Sequence, residues 1–134
     1  MKVEINLEHL QATTQEAVEN DKHIKELVVQ RKEKERRLTE AKHRILAQGI
    51  IDNLPNQCLM EARIGRCSTR VMRLRPERDY EVADLYYVIS HPTELRGVAA
   101  LVWDACQETE LECQLAYGHD GIGVRSWIDM KVSW

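Results

Sequence analysis

Phenylalanine is absent from this 134-residue sequence, and Tyr and Trp together supply only 5% of it. A core must therefore be built from aliphatic residues with a few Tyr and Trp. The apolar fraction of 43% is still too high for a disordered chain. Glycine and proline are scarce, with six and three residues, and neither occurs before Gly49. Nothing interrupts a helix over the first third of the chain. Long apolar runs are missing as well. The longest candidate is broken by Arg96 and Asp104, well short of the roughly 18 residues a membrane span needs. Glu4, Glu8, Glu16 and Glu19 punctuate the first twenty residues, which excludes a signal-peptide core there. A cytoplasmic protein without membrane attachment is expected.

The cysteines Cys58, Cys67, Cys106 and Cys113 form no C-x-x-C pair, which removes zinc-ribbon and thioredoxin spacing. In a reducing compartment they read as buried free thiols. His9, His23, His43, His91 and His119 lack the i, i+4 spacing that sets two metal ligands on one helix face. No metal and no cofactor is expected. Catalytic signals are equally thin. The sequence gives no sign that Cys58 or Cys113 meets His91 or His119. Glu110 with Glu112, and Asp79 with Glu81, lie beside turns where solvated carboxylates are ordinary. A non-enzymatic protein is the expectation.

What is present is charge, strongly segregated. Residues 1–30 hold six acids against three lysines, whereas residues 31–44 hold seven basic residues against three acids. Residues 63–78 carry six arginines and one Glu, and residues 79–134 carry ten acids against three basic residues. The net charge of −3 conceals this bipolar layout.

From Leu7 the pattern is helical, with Asn6 as N-cap and Glu8 in the first turn. About 42 residues at ~1.5 Å each exceed what a domain of this size spans, so part of the helix is expected to project or meet a partner. A seven-residue column runs Leu10, Ala17, Ile24, Arg31, Leu38 and Ile45, with a mostly polar companion column in which Leu27 is the large apolar member. Leu10, Ala17, Ile24, Leu27, Leu38 and Ile45 are the candidate oligomerisation residues, and a homodimer is expected. The division falls into a charged, coiled-coil-like arm over residues 1–49 and a small α/β domain over residues 50–134.

In that domain, Asn53 and Pro55 open a second helix that Gly65 stops. Residues 67–75 alternate imperfectly, and a turn at residues 76–79 leads into Tyr80 to Ser90, which reads as the second strand of a β-hairpin, its tract Tyr86-Tyr87-Val88-Ile89 central or covered on both faces. A third helix follows, capped by Ser90 or Thr93, with Leu95, Val98, Val102 and Ala105 or Cys106 as its buried stripe. Glu112 to Gly118, a loop His119-Asp120-Gly121-Ile122-Gly123, and a strand from Val124 to Trp134 form a closing hairpin. The expected fold is α+β, with two αββ units forming a four-stranded, largely antiparallel sheet and helices on one face. The loop's glycines are what a turn and bulge require, rather than a phosphate cradle.

Arg66, Arg70, Arg73, Arg75 and Arg78 form a lysine-free tract, and guanidinium groups favour bidentate contacts with carboxylate or phosphate. Alternation along the last strand places Trp127 with Arg125, Asp129 and Lys131 on a polar face, as an exposed anchor or under a covering element. The candidate partner-binding residues are Arg66, Arg70, Arg73, Arg75, Arg78, Arg125, Trp127 and Lys131. An acidic protein partner is the leading expectation, because the acidic C-terminal half repels a polyanion. The alternative is a nucleic-acid-binding accessory protein. It takes residues 31–44 and 63–78 as its phosphate footprint, with Tyr86, Tyr87 and Trp127 as stacking surfaces.

Overall fold

Asn6 caps the first helix as its side chain predicts, its Oδ1 accepting from the His9 N–H at 3.1 Å. In the computed structural model, which describes residues 1–121 and 125–134, that helix is α1, Leu7–Arg63. It does not stop at Gly49 or restart at Pro55, as the sequence suggested. Proline inside a helix removes one ladder bond and costs about 3 kcal/mol. Here Ala47 and Leu54 are buried on either side of Gly49, and Ile50, Ile51 and Cys58 pack against the same core. Burial of that stripe outweighs the local breakers. The end of α1 follows the glycine rule closely. Gly65 has φ of 85°, the Gly65 N–H reaches the Ala62 carbonyl and the Arg66 N–H reaches that of Glu61. This pair of bonds is the Schellman arrangement.

The chain divides into two compact units, Met1–Thr39 and Glu40–Trp134. In the first, every apolar side chain is exposed, and the contacts between charged groups include ion pairs along the helix surface, Lys25 with Asp21, Arg31 with Glu35, and Arg36 and Arg37 with Glu33. The paired guanidiniums hold the Glu33 carboxyl below the usual carboxylate range, first through the hydrogen bond from Arg36.

The second unit contains β1 (Ser68–Leu74), α2 (Leu85–Ser90), α3 (Gly97–Gln107), β2 (Glu112–His119) and β3 (Ser126–Ser133), with a 3₁₀ turn at Pro92–Glu94. The sheet has three antiparallel strands in the order β1-β3-β2, one fewer than expected. The lost strand is the segment around Tyr86-Tyr87-Val88-Ile89, which is helical. Asp84 caps it, accepting from the Tyr86 and Tyr87 N–H groups. Leu85, Val88 and Ile89 turn inward at i, i+3, i+4 spacing, while Tyr86 and Tyr87 stay exposed. β-propensity argued for a strand, and a cap with a helical stripe decided otherwise. The imperfect alternation of β1 has a cause: its register shifts between Arg70 and Met72, leaving Val71 in a bulge.

One face of the sheet is the core. Leu74, Ile128 and Tyr117 align across it, as do Met72, Met130 and Leu115, and α2 and α3 pack on that side. Ile128, Met130, Val132, Val88, Val102 and Cys106 are almost completely buried. Cys106 sits near Cys58 and Cys113, and burial, then the neighbouring Cys113 thiol, pushes its pKa up to about 11. All four cysteines are free thiols, but only Cys106 is buried; Cys58 and Cys113 are half-buried and Cys67 is exposed. The end of β1 is fastened by Asp79, fully buried, which accepts from the Arg75 N–H at 2.7 Å and from the Arg78 guanidinium at 2.9 Å. Across the same corner α3 starts at Gly97, whose φ of 61° lies in the left-handed region that favours glycine, beside His43 and the Arg78 carbonyl. Ile122, Gly123 and Val124, assigned from sequence to the closing loop and the start of the last strand, lie outside the described residues.

Candidate binding surfaces

The second face of the sheet carries Arg70 and Arg73 of the arginine tract, and the register of β1 against β3 arranges them. Arg73 pairs directly with Asp129, and Arg70 with Lys131. Arg73 Nε donates to Asp129 Oδ1 at 3.0 Å, and the Trp127 indole N–H donates to Asp129 Oδ2 at 3.1 Å. The Arg73 guanidinium carbon lies 4.1 Å from the centroid of the Trp127 ring. The indole is laid on Gly118 of β2, its cross-strand neighbour, where a Cβ would stand 2.2 Å from Trp127 Nε1. Trp127 is therefore half-buried and held by three neighbours, an arrangement between an exposed anchor and a core residue. Asp129, with its side chain 12% exposed, neutralises Arg73, which remains 46% exposed. A cation over an indole contributes about 0.5–1 kcal/mol at a partly solvated site, so the cluster positions these groups more than it stabilises the fold.

Beside it lies a polar groove. Gln57, Glu61, Arg66, Ser68 and Thr69 line one part, and Arg70, Asp129 and Lys131 the rest. Gln57 of α1 fixes the β1 edge by donating to Thr69 Oγ1 at 2.8 Å and to the Arg70 carbonyl at 2.6 Å. Arg66 is turned back to Glu61 at 3.1 Å. Arg70 and Lys131 have no acidic partner among the described residues.

The eight residues singled out from the sequence thus separate. Arg66, Arg70 and Lys131 meet at the groove, and Arg73 meets Trp127 next to it. Arg78 is bound to buried Asp79, Arg75 contributes its backbone N–H to the same carboxylate, and both belong to the loop after β1. Arg125 is exposed at the entry to β3, its carbonyl accepting from the Asp120 N–H. Tyr86 does not stand beside Trp127: it stacks on Tyr117, at 5.1 Å between centroids, and Tyr117 belongs to the core-side row of β2. Tyr87 stacks on His91. Asp129, Gln57 and Gly118 belong to this surface as well, and of the three only Asp129 is signalled by the sequence, through the alternation of the last strand that sets it beside Trp127.

The first unit offers the other surface. Its column side chains are open to solvent: Leu10 is 51% exposed, Ile24 58% and Leu38 55%, with Ala17 and Leu27 exposed too. Ile45, placed in the same column, belongs to the second unit and is also exposed.

The remaining chemistry is muted. Burial raises the thiol pKa of Cys58 and Cys113 as it does that of Cys106, the reverse of what a thiolate nucleophile needs. Among the described residues no three His, Cys, Asp or Glu side chains form a group able to hold a metal ion, and no helix is long and apolar enough to cross a membrane. The chain matches no protein-family model, no curated protein and no solved structure.

Proposed function

We propose that this is a non-enzymatic binding and assembly protein. The helix of residues 7–39 is its self-association or docking element, and the groove at Arg70 and Lys131 is its contact for an acidic segment of a protein partner. The observation that carries the reading is the exposed apolar column of the first unit. Leu10, Ile24 and Leu38 recur, with Leu27 beside them, over residues 7–39 of α1, where every apolar side chain is exposed. Isolated surface leucines are ordinary, but a recurring series is how helices bury surface against one another.

The groove supports the second half of the reading by its chemistry. Two cations with no acidic partner among the described residues sit across adjacent strands, and the neighbouring Ser68 and Thr69 hydroxyls suit a carboxylate. Arg73 and Trp127 flank it in a preset geometry, as anchors of an interface require.

Sedimentation equilibrium of the full chain tests the first half. Self-association is expected at concentrations on the order of tens of micromolar, and a monomer there removes it. Titration with poly-glutamate and with a single-stranded oligonucleotide tests the second. Poly-glutamate binding that weakens on Arg70→Ala and Lys131→Ala is expected. Oligonucleotide binding with a steep salt dependence lost in the same variants would move the assignment to nucleic acid.

A further inference from the structure

We infer that the partner of the first unit's helix is a second copy of the same helix, lying antiparallel and centred on Ile24. The inference rests on the self-association reading and adds to it the orientation and register. Two independent features of the helix carry it, and both are symmetric about the same residue.

The first is charge. Residues 7–20 hold Glu8, Glu16 and Glu19 and no Lys or Arg, net −3. Residues 21–30 sum to zero, and residues 31–39 hold five basic residues against Glu33 and Glu35, net +3. Glu8 and Glu16 have no ion-pair partner among the described residues, nor do Lys32 and Lys34, although several of their neighbours do. A parallel pair stacks −3 on −3 at one end and +3 on +3 at the other. The antiparallel pair sets each acidic end against a basic one, and the crossing point midway between them falls at Ile24. Electrostatic complementarity of this kind selects orientation more than it adds affinity.

The second is the part of the column that lies within the first unit, which leaves out Ile45. Leu10, Ala17, Ile24, Arg31 and Leu38 are spaced evenly on either side of Ile24. Reversal about that residue sets Leu10 against Leu38 of the second copy, Ile24 against its own equivalent, and Arg31 against Ala17. The small Ala17 leaves room for the Arg31 stem, whose head keeps its pairing with Glu35. In the parallel arrangement the two Arg31 side chains share one layer, placing like charges in the seam. Exposed Leu27 and Val28, flanking Ile24 on either side, broaden the apolar surface at the net-neutral centre. A seven-residue column drifts by about 20° per heptad on a straight helix, which a left-handed supercoil takes up on pairing.

The test uses the full chain. Reversing only the acidic end, with Glu8→Lys, Glu16→Lys and Glu19→Lys, is expected to weaken dimerisation by about tenfold or more at low salt. Reversing the basic end as well, with Arg31→Glu, Lys32→Glu and Lys34→Glu, is expected to restore it. A parallel dimer is insensitive to the first change, because it exchanges one like-charge stack for another, and that result would overturn the inference. Cross-linking supplies the second readout. With Cys67→Ser to remove the exposed native thiol, Leu10→Cys and Leu38→Cys chains are oxidised separately and mixed. Covalent dimers joining position 10 to position 38, found in the mixture, are expected. Dimers joining position 10 to position 10 would refute the antiparallel orientation while leaving self-association intact. A wild-type chain that stays monomeric contradicts the pairing and the self-association reading together.

Discussion

Met1–Thr39 and Glu40–Trp134 both contain leucines, isoleucines and valines, but only the second unit buries them. In Glu40–Trp134 these residues come from one stripe of α1, two short helices and three strands, and they converge on Ile128, Met130 and Val132. In Met1–Thr39 the same residue types lie along one helix and meet nothing within the unit. The difference teaches that apolar content does not locate a core. Contact between elements does, and a lone helix has no second element to supply it.

Truncation in the two units breaks this comparison most directly. Ile128→Ala, in the fully buried row of β3, is expected to cost about 3–4 kcal/mol in urea unfolding followed by tryptophan fluorescence, since all three tryptophans lie in the second unit. Ile24→Ala is expected to leave that transition within about 0.5 kcal/mol. Similar costs at the two sites would mean that the helix of residues 7–39 is part of the core.

The next effect concerns pH. The Cys106 proton is held more tightly in the folded chain, its pKa raised from 9.0 to about 11. Between those values unfolding releases a proton, so this contribution is complete below pH 9 and lost as pH rises toward 11. The loss is about 2–3 kcal/mol, and raised Cys58 and Cys113 thiols push in the same direction. Melting curves from pH 8 to 11 should fall more steeply for the wild type than for Cys106→Ala. Equal slopes would remove Cys106 as a source of the pH dependence.

The smallest effect belongs to the second face of the sheet. Gly118→Ala puts a methyl group where the Trp127 indole lies, and a cost of about 1–2 kcal/mol with a shifted tryptophan emission is expected. An unchanged spectrum would mean that Trp127 does not rest on Gly118 in solution.

These predictions depend on details that were unevenly legible in the sequence. The Asn6 cap, the Gly65 stop, the buried stripe of α3 and the two faces of β3 were readable, because each follows from local chemistry or a short period. The passage of α1 through Gly49 and Pro55 was not, since contacts made far along the chain overrule the local breakers. The Leu85–Ser90 helix was hidden by residues with strong β-propensity, although Asp84 and the spacing of Leu85, Val88 and Ile89 signalled it. At the candidate site, alternation placed Trp127, Asp129 and Lys131 together. The partners of that face, Arg70 and Arg73, depended on β1 lying beside β3, a pairing between segments some 56 residues apart that no local pattern encodes.

On the proposed assembly, the helix of residues 7–39 buries its apolar column only against a partner. Hydrogen–deuterium exchange of the full chain at about 1 μM and about 100 μM, either side of a dissociation constant of tens of micromolar, tests it directly. Amides of residues 7–39 are expected to gain protection at the higher concentration while those of β1, β2 and β3 stay unchanged. Exchange in residues 7–39 that is independent of concentration would contradict self-association as the role of this helix.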